Sequence, residues 1–390
     1  MPQQQYRAFR LNPTRRNLVL GATSAALLCP GLHARAQTAA PSRSAAEPIR
    51  LAQLLDSSPD QQDISRDYAT GVRIAVNDFN RSARKPVQLV NFESDGSVGS
   101  LKSALQAIRK DAALCALIGT AGERLALDSI DAARAEGLAI AHLAPWLSDS
   151  RYDKDRDVIP VFASRETQIR YALKSLESLG IVDIGLVYAS EREHAALHVG
   201  VDAAAQSLKL RPVDYVPGSG EASAALANRL SNSSPMVLLF LGGTIELSLF
   251  AQALSARKLQ RYVVSLADID VGTLVQLGVG RAVPLILTQV VPNPQSSMLP
   301  AVRDYRTSLK SQFDEKPSQI SLAGYLAARY VLPILARMER PPTRETVLTE
   351  FARRASEDVG GFQIAFSASQ RRGSSYVTQT LLTGDGRQVG

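Results

Sequence analysis

Two cysteines, one tryptophan and four histidines are all that 390 residues supply of the side chains most used for disulfides, aromatic stacking and metal binding. Cys29 lies in an N-terminal stretch that reads as removable, so Cys115, inside the apolar run 112–118, has no partner. A disulfide framework is excluded, and Cys115 reads as a buried core thiol. Signature glycines are missing too. No Gly-x-x-x-x-Gly-Lys occurs, and Gly278-Val279-Gly280 follows an expected helix without the third glycine of a dinucleotide fingerprint, so nucleotide binding has no support. Gly218-Ser219-Gly220 sits in a polar stretch and lacks the Gly-x-Ser-x-Gly spacing that presents a nucleophile. No catalytic residue and no cofactor is expected, and the chain reads as non-enzymatic.

What is present begins with an export signal. Arg7, Arg10, Arg15 and Arg16 precede the apolar run 18–28, and Ala34-Arg35-Ala36 places small residues where a signal peptidase acts, which predicts a cut before Gln37. The run is shorter than the ~20 residues a membrane span needs. Thr14-Arg15-Arg16-Asn17-Leu18 also resembles a twin-arginine signal, leaving the export route open. Leu28 is too bulky for Cys29 to act as a lipid-attachment site. Losing residues 1–36 removes five arginines and no acid, which takes the net charge from +7 to +2. The basicity belongs to the signal, so a nucleic-acid partner loses its electrostatic footprint. No second apolar run of spanning length is expected, so the processed chain reads as soluble and periplasmic, without membrane insertion. A polar leader, 37–48, precedes the folded part.

From Ile49 onward, short apolar runs alternate with amphipathic stretches, the pattern of βα units around parallel sheets. Strands are predicted over 49–55, 87–92, 114–119 and 138–144. Between the first two, Tyr68, Val72, Val76 and Phe79 mark a helix with Asp63 or Ser65 as its cap. After Val161-Phe162-Ala163 the alternation restarts, with strands over 184–188, 213–216, 236–241 and 262–266 and helices between them, one of them over 222–230. A further strand, 285–291, precedes three helices over 299–313, 321–338 and 344–355, and strands near 362–366 and 376–382 close the chain. The expected fold is α/β, two doubly wound parallel-sheet lobes joined by a hinge. Lobe 1 is expected over 49–162 plus 288–361 and lobe 2 over 163–287 plus 362–390.

One cluster invites a metal. Glu191, Glu193, His194 and His198 share a predicted helix, and histidines four apart face one side. The remaining histidine of the folded part, His142, lies beside Leu143-Ala144-Pro145 in a structural setting, so a third ligand is lacking and no metal is expected. A solvated helix start, with acids complementing the N-terminal amides, is the plainer reading, and Glu193 facing a cleft is the other. Binding in such sheets occurs at the carboxyl ends of parallel strands. Those loops are 57–62, 120–123 and 145–147 in the first lobe, and 190–194, 242–246 and 267–270 in the second. Trp146 stands in one of them, either as a wall for a solute or as a core aromatic. Its truncation is expected to weaken binding and spare the fold.

The order of elements, with local motifs, resembles the leucine/isoleucine/valine-binding class of ABC-transporter solute-binding proteins, of type I periplasmic fold. The resemblance runs from about Ile49 to the C-terminus. It rests on the stretch Gly71-Val72-Arg73-Ile74-Ala75-Val76-Asn77-Asp78-Phe79-Asn80, on Leu117-Ile118-Gly119-Thr120 and on Gln289-Val290-Val291-Pro292. Ser321-Leu322-Ala323-Gly324-Tyr325 and Gly360-Gly361-Phe362-Gln363-Ile364 add to it. It implies capture of a small molecule between two closing lobes, with a permease and an ATPase as partners; a sensory subunit signalling to a membrane receptor is the alternative. Where the family's amino-acid binders carry small hydroxyl residues, this chain has Ala121-Gly122-Glu123 and Pro145-Trp146-Leu147. Glu193 falls where the family often has an aromatic, and Thr244 and Asp268 fall at its other contact positions. With Gln61 from the first loop, the candidate ligand-binding set is Gln61, Ala121, Gly122, Glu123, Trp146, Leu147, Glu193, Thr244 and Asp268.

Overall fold

The computed structural model describes residues 47–390; the export signal, its cut before Gln37 and most of the leader lie outside the described residues. The first lobe opens with β1 (Ile49–Asp56), α1 (Gln62–Asn80), β2 (Val87–Ser94), α2 (Val98–Lys110), β3 (Leu114–Ile118), α3 (Glu123–Ala135), β4 (Ala141–Leu143) and β5 (Val158–Ile159). The five strands pair in parallel in the order β2-β1-β3-β4-β5. β3, Leu-Cys-Ala-Leu-Ile, is buried throughout, as a parallel strand covered on both faces must be. Side chains alternate between the faces: Leu51 joins the cluster containing Tyr68 and Val72 of α1, while Ala52 and Leu54 join the one containing Leu105 of α2 and Leu125 of α3.

The second lobe runs through α4 (Arg165–Ser178), β6 (Asp183–Tyr188), α5 (Glu191–Ser207), β7 (Arg211–Tyr215), β8 (Val237–Leu241), α6 (Thr244–Ala256), β9 (Tyr262–Ser265), α7 (Val271–Gln276), α8 (Val279–Ala282) and β10 (Leu285–Gln289). The helix predicted over 222–230 is a 3₁₀ helix, Ser223–Arg229. Its buried Ser223 and Leu226 stand three apart, the spacing that a 3₁₀ helix places on one line. Strand faces again divide the core: Leu186, Tyr188, Leu239 and Leu241 pack with α4 and α5, and Val187, Leu238 and Phe240 pack with α6.

The chain ends with α9 (Pro300–Gln312), α10 (Gln319–Arg337), α11 (Arg344–Phe351), β11 (Glu357–Val359), β12 (Phe362–Ile364), β13 (Thr378–Leu382) and β14 (Gln388–Val389). The second sheet is not wholly parallel as the sequence suggests. Its order is β14-β13-β10-β9-β8-β6-β7, with β13 antiparallel to β10 and β14 antiparallel to β13. β13 follows β12 with no helix between them and enters the second sheet running opposite to β10. β11 and β12 form a separate antiparallel hairpin, turned by Gly360 and Gly361 at φ 58° and 90°, a backbone region glycine enters freely. Phe362, Ile364 and Val377 belong to the core of the first lobe, so the chain stays with that lobe past Gly361 and joins the second sheet at Thr378.

Two helices differ from expectation in detail. α1 begins after Gln61 without a side-chain cap, because Ser65 instead accepts the Asp56 amide at 2.9 Å and so ties the helix to the end of β1. α10 is long and apolar enough to cross a membrane, contrary to the expectation of no second such run, yet most of it is buried inside the protein. It packs backbone to backbone on α1. A Cβ on Gly71 would lie 1.8 Å from the Ser321 carbonyl oxygen, and one on Gly324 would lie 2.0 Å from that of Tyr68.

Candidate functional site

Six loops that leave the carboxyl ends of strands converge where the two lobes face each other. Three follow β1, β3 and β4, and three follow β6, β8 and β9. Between them lies a cavity of about 370 Å³ lined by Gln61, Glu123, Trp146, Glu193 and Asp268. A larger groove of about 590 Å³ runs along α1 and β2 past Arg73, Asn77 and Asn91; it touches the end of β1 at Asp56 and Ser57 but is lined by the first lobe alone.

Trp146 is placed by strain and by pairing. Ala144, two residues earlier, has φ 48°, a left-handed conformation costly for a residue with a Cβ. The Tyr68 hydroxyl donates to the Ala144 carbonyl oxygen at 2.8 Å and holds the turn. Beyond it, the Trp146 amide donates to Thr120 O at 2.9 Å, so that Ala121 and Trp146 form a lone parallel bridge joining the loops after β3 and β4. The indole lies 5.8 Å from the Tyr68 ring and 5.5 Å from Phe162. Only 5% of the residue is exposed, which makes it wall and core at once. The expectation that its truncation spares the fold is therefore corrected below.

Glu123 opens α3. Its Oε2 accepts the Ser148 amide at 2.7 Å and the Ser148 hydroxyl at 3.1 Å, and its Oε1 accepts the Asp149 amide at 2.9 Å. A carboxylate of the protein thus occupies the donors presented by the loop after β4. Burial, followed by repulsion from Asp268, pushes the Glu123 carboxyl up to about 7. Arg165, the first residue of α4, faces it. The guanidinium stands 3.6 Å from Glu123, 3.4 Å from Glu193 and 4.0 Å from Asp268, with its side chain 19% exposed. Glu193 is held by the helix start, where the Ser190 hydroxyl caps the Glu193 amide at 3.1 Å.

The structure thus brings together Gln61, Glu123, Trp146, Glu193 and Asp268 of the candidate set. Ala121, Gly122, Leu147 and Thr244 do not line the cavity. Ala121 and Leu147 are buried behind its wall, and a Cβ on Gly122 would meet Asp56 Oδ2 at 2.8 Å. The Thr244 hydroxyl accepts the Asp270 amide at 3.0 Å and shapes the loop after β9. Sequence reasoning missed Arg165. A cation at a helix N-terminus opposes the backbone dipole, so an arginine in the first turn needs acids from elsewhere, and that was the available signal.

His194 and His198 do not converge on a common point. Their rings stack at 4.5 Å, His194 Nε2 lies 3.5 Å from Asp214, and His198 Nδ1 meets the His194 carbonyl oxygen at 2.8 Å. Among the described residues no group of three or more His, Cys, Asp or Glu side chains is arranged to hold a metal ion. His142 is a core residue whose burial pushes its imidazole down to about 4.

A family model described as a periplasmic binding protein matches residues 48–385. No curated protein sequence matches the chain. Solved structures match the fold. A substrate-binding periplasmic protein from Ralstonia solanacearum has 21% identity and a TM-score of 0.75, over 87% of this chain and 99% of that one. An extracellular ligand-binding receptor from Verminephrobacter eiseniae has 18% identity and a TM-score of 0.75, over 88% and 100%. The branched-chain amino acid transporter substrate-binding protein of Streptococcus pneumoniae, in complex with isoleucine, has 13% identity and a TM-score of 0.73, over 88% and 98%.

Proposed function

The chain belongs to the periplasmic binding protein family, and from that membership we propose that it is the exported solute-binding component of an ABC-type importer, capturing an amino acid or a related small organic acid or amide. The observation that carries the reading is the cavity between the lobes, walled by Glu123 and Trp146 from one side and by Glu193 and Asp268 from the other. A solute that touches both walls stabilises the closed arrangement by its differential contacts, so its binding free energy becomes closure. Closure presents one composite surface of two lobes to a permease and its ATPase. The family and its fold are those of binding proteins, and the site needs no reacting group.

The test is a thermal-shift screen of the processed chain against amino acids, amides and organic acids, followed by small-angle scattering with the best hit. A solute that binds only the folded state raises the melting temperature by mass action, and the radius of gyration should fall on closure. A hit with no change in scattering would reject the hinged mechanism. A sensory role uses the same closed form, so it separates by partner: permease and ATPase genes beside this one support import, a kinase or regulator supports sensing.

A further inference from the structure

Three carboxylates of the inner cleft gather around one guanidinium, while a fourth, Asp149, is paired with Arg151. Arg165 approaches Glu123, Glu193 and Asp268 at 3.4–4.0 Å, whereas the surface pairs Arg151–Asp149 and Arg134–Asp157 close to 2.8 and 2.7 Å. A single cation spread over three acids saturates none of them. Glu193 receives one long hydrogen bond from Arg165, and Asp268 accepts none among the described residues, although both line the cavity. The other arginines of the wall are engaged or peripheral: Arg151 by Asp149, Arg124 by Asp128 at 3.5 Å, and Arg192 exposed to solvent. The Ser148 and Asp149 amides of the loop after β4 are already taken by Glu123.

Resting on the reading of this cleft as the solute site, we propose that the solute is a small organic cation, an amine or guanidine, whose charged nitrogen is received by Asp268 and Glu193 of the second lobe. Arg165 partly neutralises those acids in the empty cleft. An organic anion would face the three carboxylates around Arg165, with only the exposed Arg192 outside an ion pair among the arginines of the wall in the described residues. A cation instead completes the pairing, and because Glu123 belongs to the opposite lobe, the same charge helps to hold the cleft shut. Trp146 adds an aromatic wall of the kind that favours a nearby cation.

The test is calorimetric titration of the processed chain with agmatine, arginine and propylamine as cations, leucine as a neutral zwitterion and succinate as an anion. At least one cation should bind more tightly than leucine, and succinate should not bind. Asp268→Asn and Glu193→Gln, both nearly isosteric, should keep the melting temperature of the empty protein and weaken the cation by roughly thirtyfold or more. Leucine or succinate binding while the cations stay silent overturns the cation assignment and leaves solute capture standing. Silence from all three cations overturns it as well, and cation affinity unchanged in both variants removes these carboxylates from recognition. Solute capture fails separately, if no hit changes the scattering.

Discussion

Arg165 of the second lobe reaches Glu123 of the first across 3.6 Å, and no other ion pair in the cleft joins the two lobes among the described residues. The same guanidinium faces Glu193 and Asp268 on its own side. It therefore holds together a cluster whose acids outnumber it.

Removing that cation should loosen the closed form. Arg165→Ala leaves three carboxylates facing one another, and the cost should be about 2 kcal/mol, below the roughly 3–5 of a fully buried pair because water reaches the side chain. Scattering of the empty variant should show a larger radius of gyration, and adding Asp268→Asn should restore part of the lost stability. An unchanged radius would mean that Arg165 does not link the lobes.

Stability should depend on pH through Glu123. Its folded carboxyl titrates near 7 against an ordinary 4.5, so between these values the folded state keeps a proton that the unfolded chain has lost. The contribution is complete below about 4.5 and disappears as pH rises to about 7. Burial raises Asp67 in the same direction, to about 6. Glu123→Gln should therefore flatten the upper part of the decline, above about pH 6, in urea midpoints measured from pH 5 to 8. Asp268, Arg165, Glu193 and Asp149 face the cleft around it, and salt should reduce the slope.

Much of the architecture is legible because burial writes itself into residue type. β3 and β8 are continuous apolar runs, as strands covered on both faces must be, and α1 repeats its apolar residues at helical spacing. The antiparallel β13 and the late return to the second lobe are not legible, since both follow from where the loop after β12 packs. The site was half legible. Loop position together with the family resemblance identified Glu123, Trp146, Glu193 and Asp268, because strand ends determine where loops converge. Arg165 stayed hidden because its partners are 42, 28 and 103 residues away in sequence and only the fold collects them.

Trp146 should fail the simple test that its loop position suggests. Trp146→Ala removes an indole packed on Tyr68 and Phe162 and should cost about 3–5 kcal/mol, lowering the urea midpoint along with solute affinity. Trp146→Phe keeps most of the packing and is the informative variant. Its affinity should fall while its midpoint stays within about 1.5 kcal/mol of the parent.

The α1–α10 crossing should tolerate no methyl group. Gly71→Ala and Gly324→Ala each drive a Cβ into a backbone carbonyl, which no rotamer relieves, so the helices must separate. The expected loss is about 3 kcal/mol or more, read by chemical denaturation. Gly99→Ala in α2, with nothing within 4 Å of the added carbon, is the control and should gain roughly 0.5–1 kcal/mol from helix propensity.

Arg372 connects the strap after β12 to the loop that positions Glu123. Only 5% exposed, it donates to the carbonyl oxygens of Leu147 at 2.7 Å, Phe162 at 3.0 Å and Asp149 at 2.6 Å, and to the Asp153 carboxylate at 2.9 Å. Lysine offers three donors on one atom, which cannot serve acceptors spread along the planar fork of a guanidinium. Arg372→Lys should therefore leave buried carbonyls unpaired and cost about 2 kcal/mol, whereas Arg372→Ala also strands Asp153 and should cost about 3–5. Because Leu147 and Asp149 flank Ser148, whose amide holds Glu123, the lysine variant should also shift the pH at which stability stops falling. A variant that loses stability but keeps that pH would show that Arg372 supports the fold without positioning the cleft.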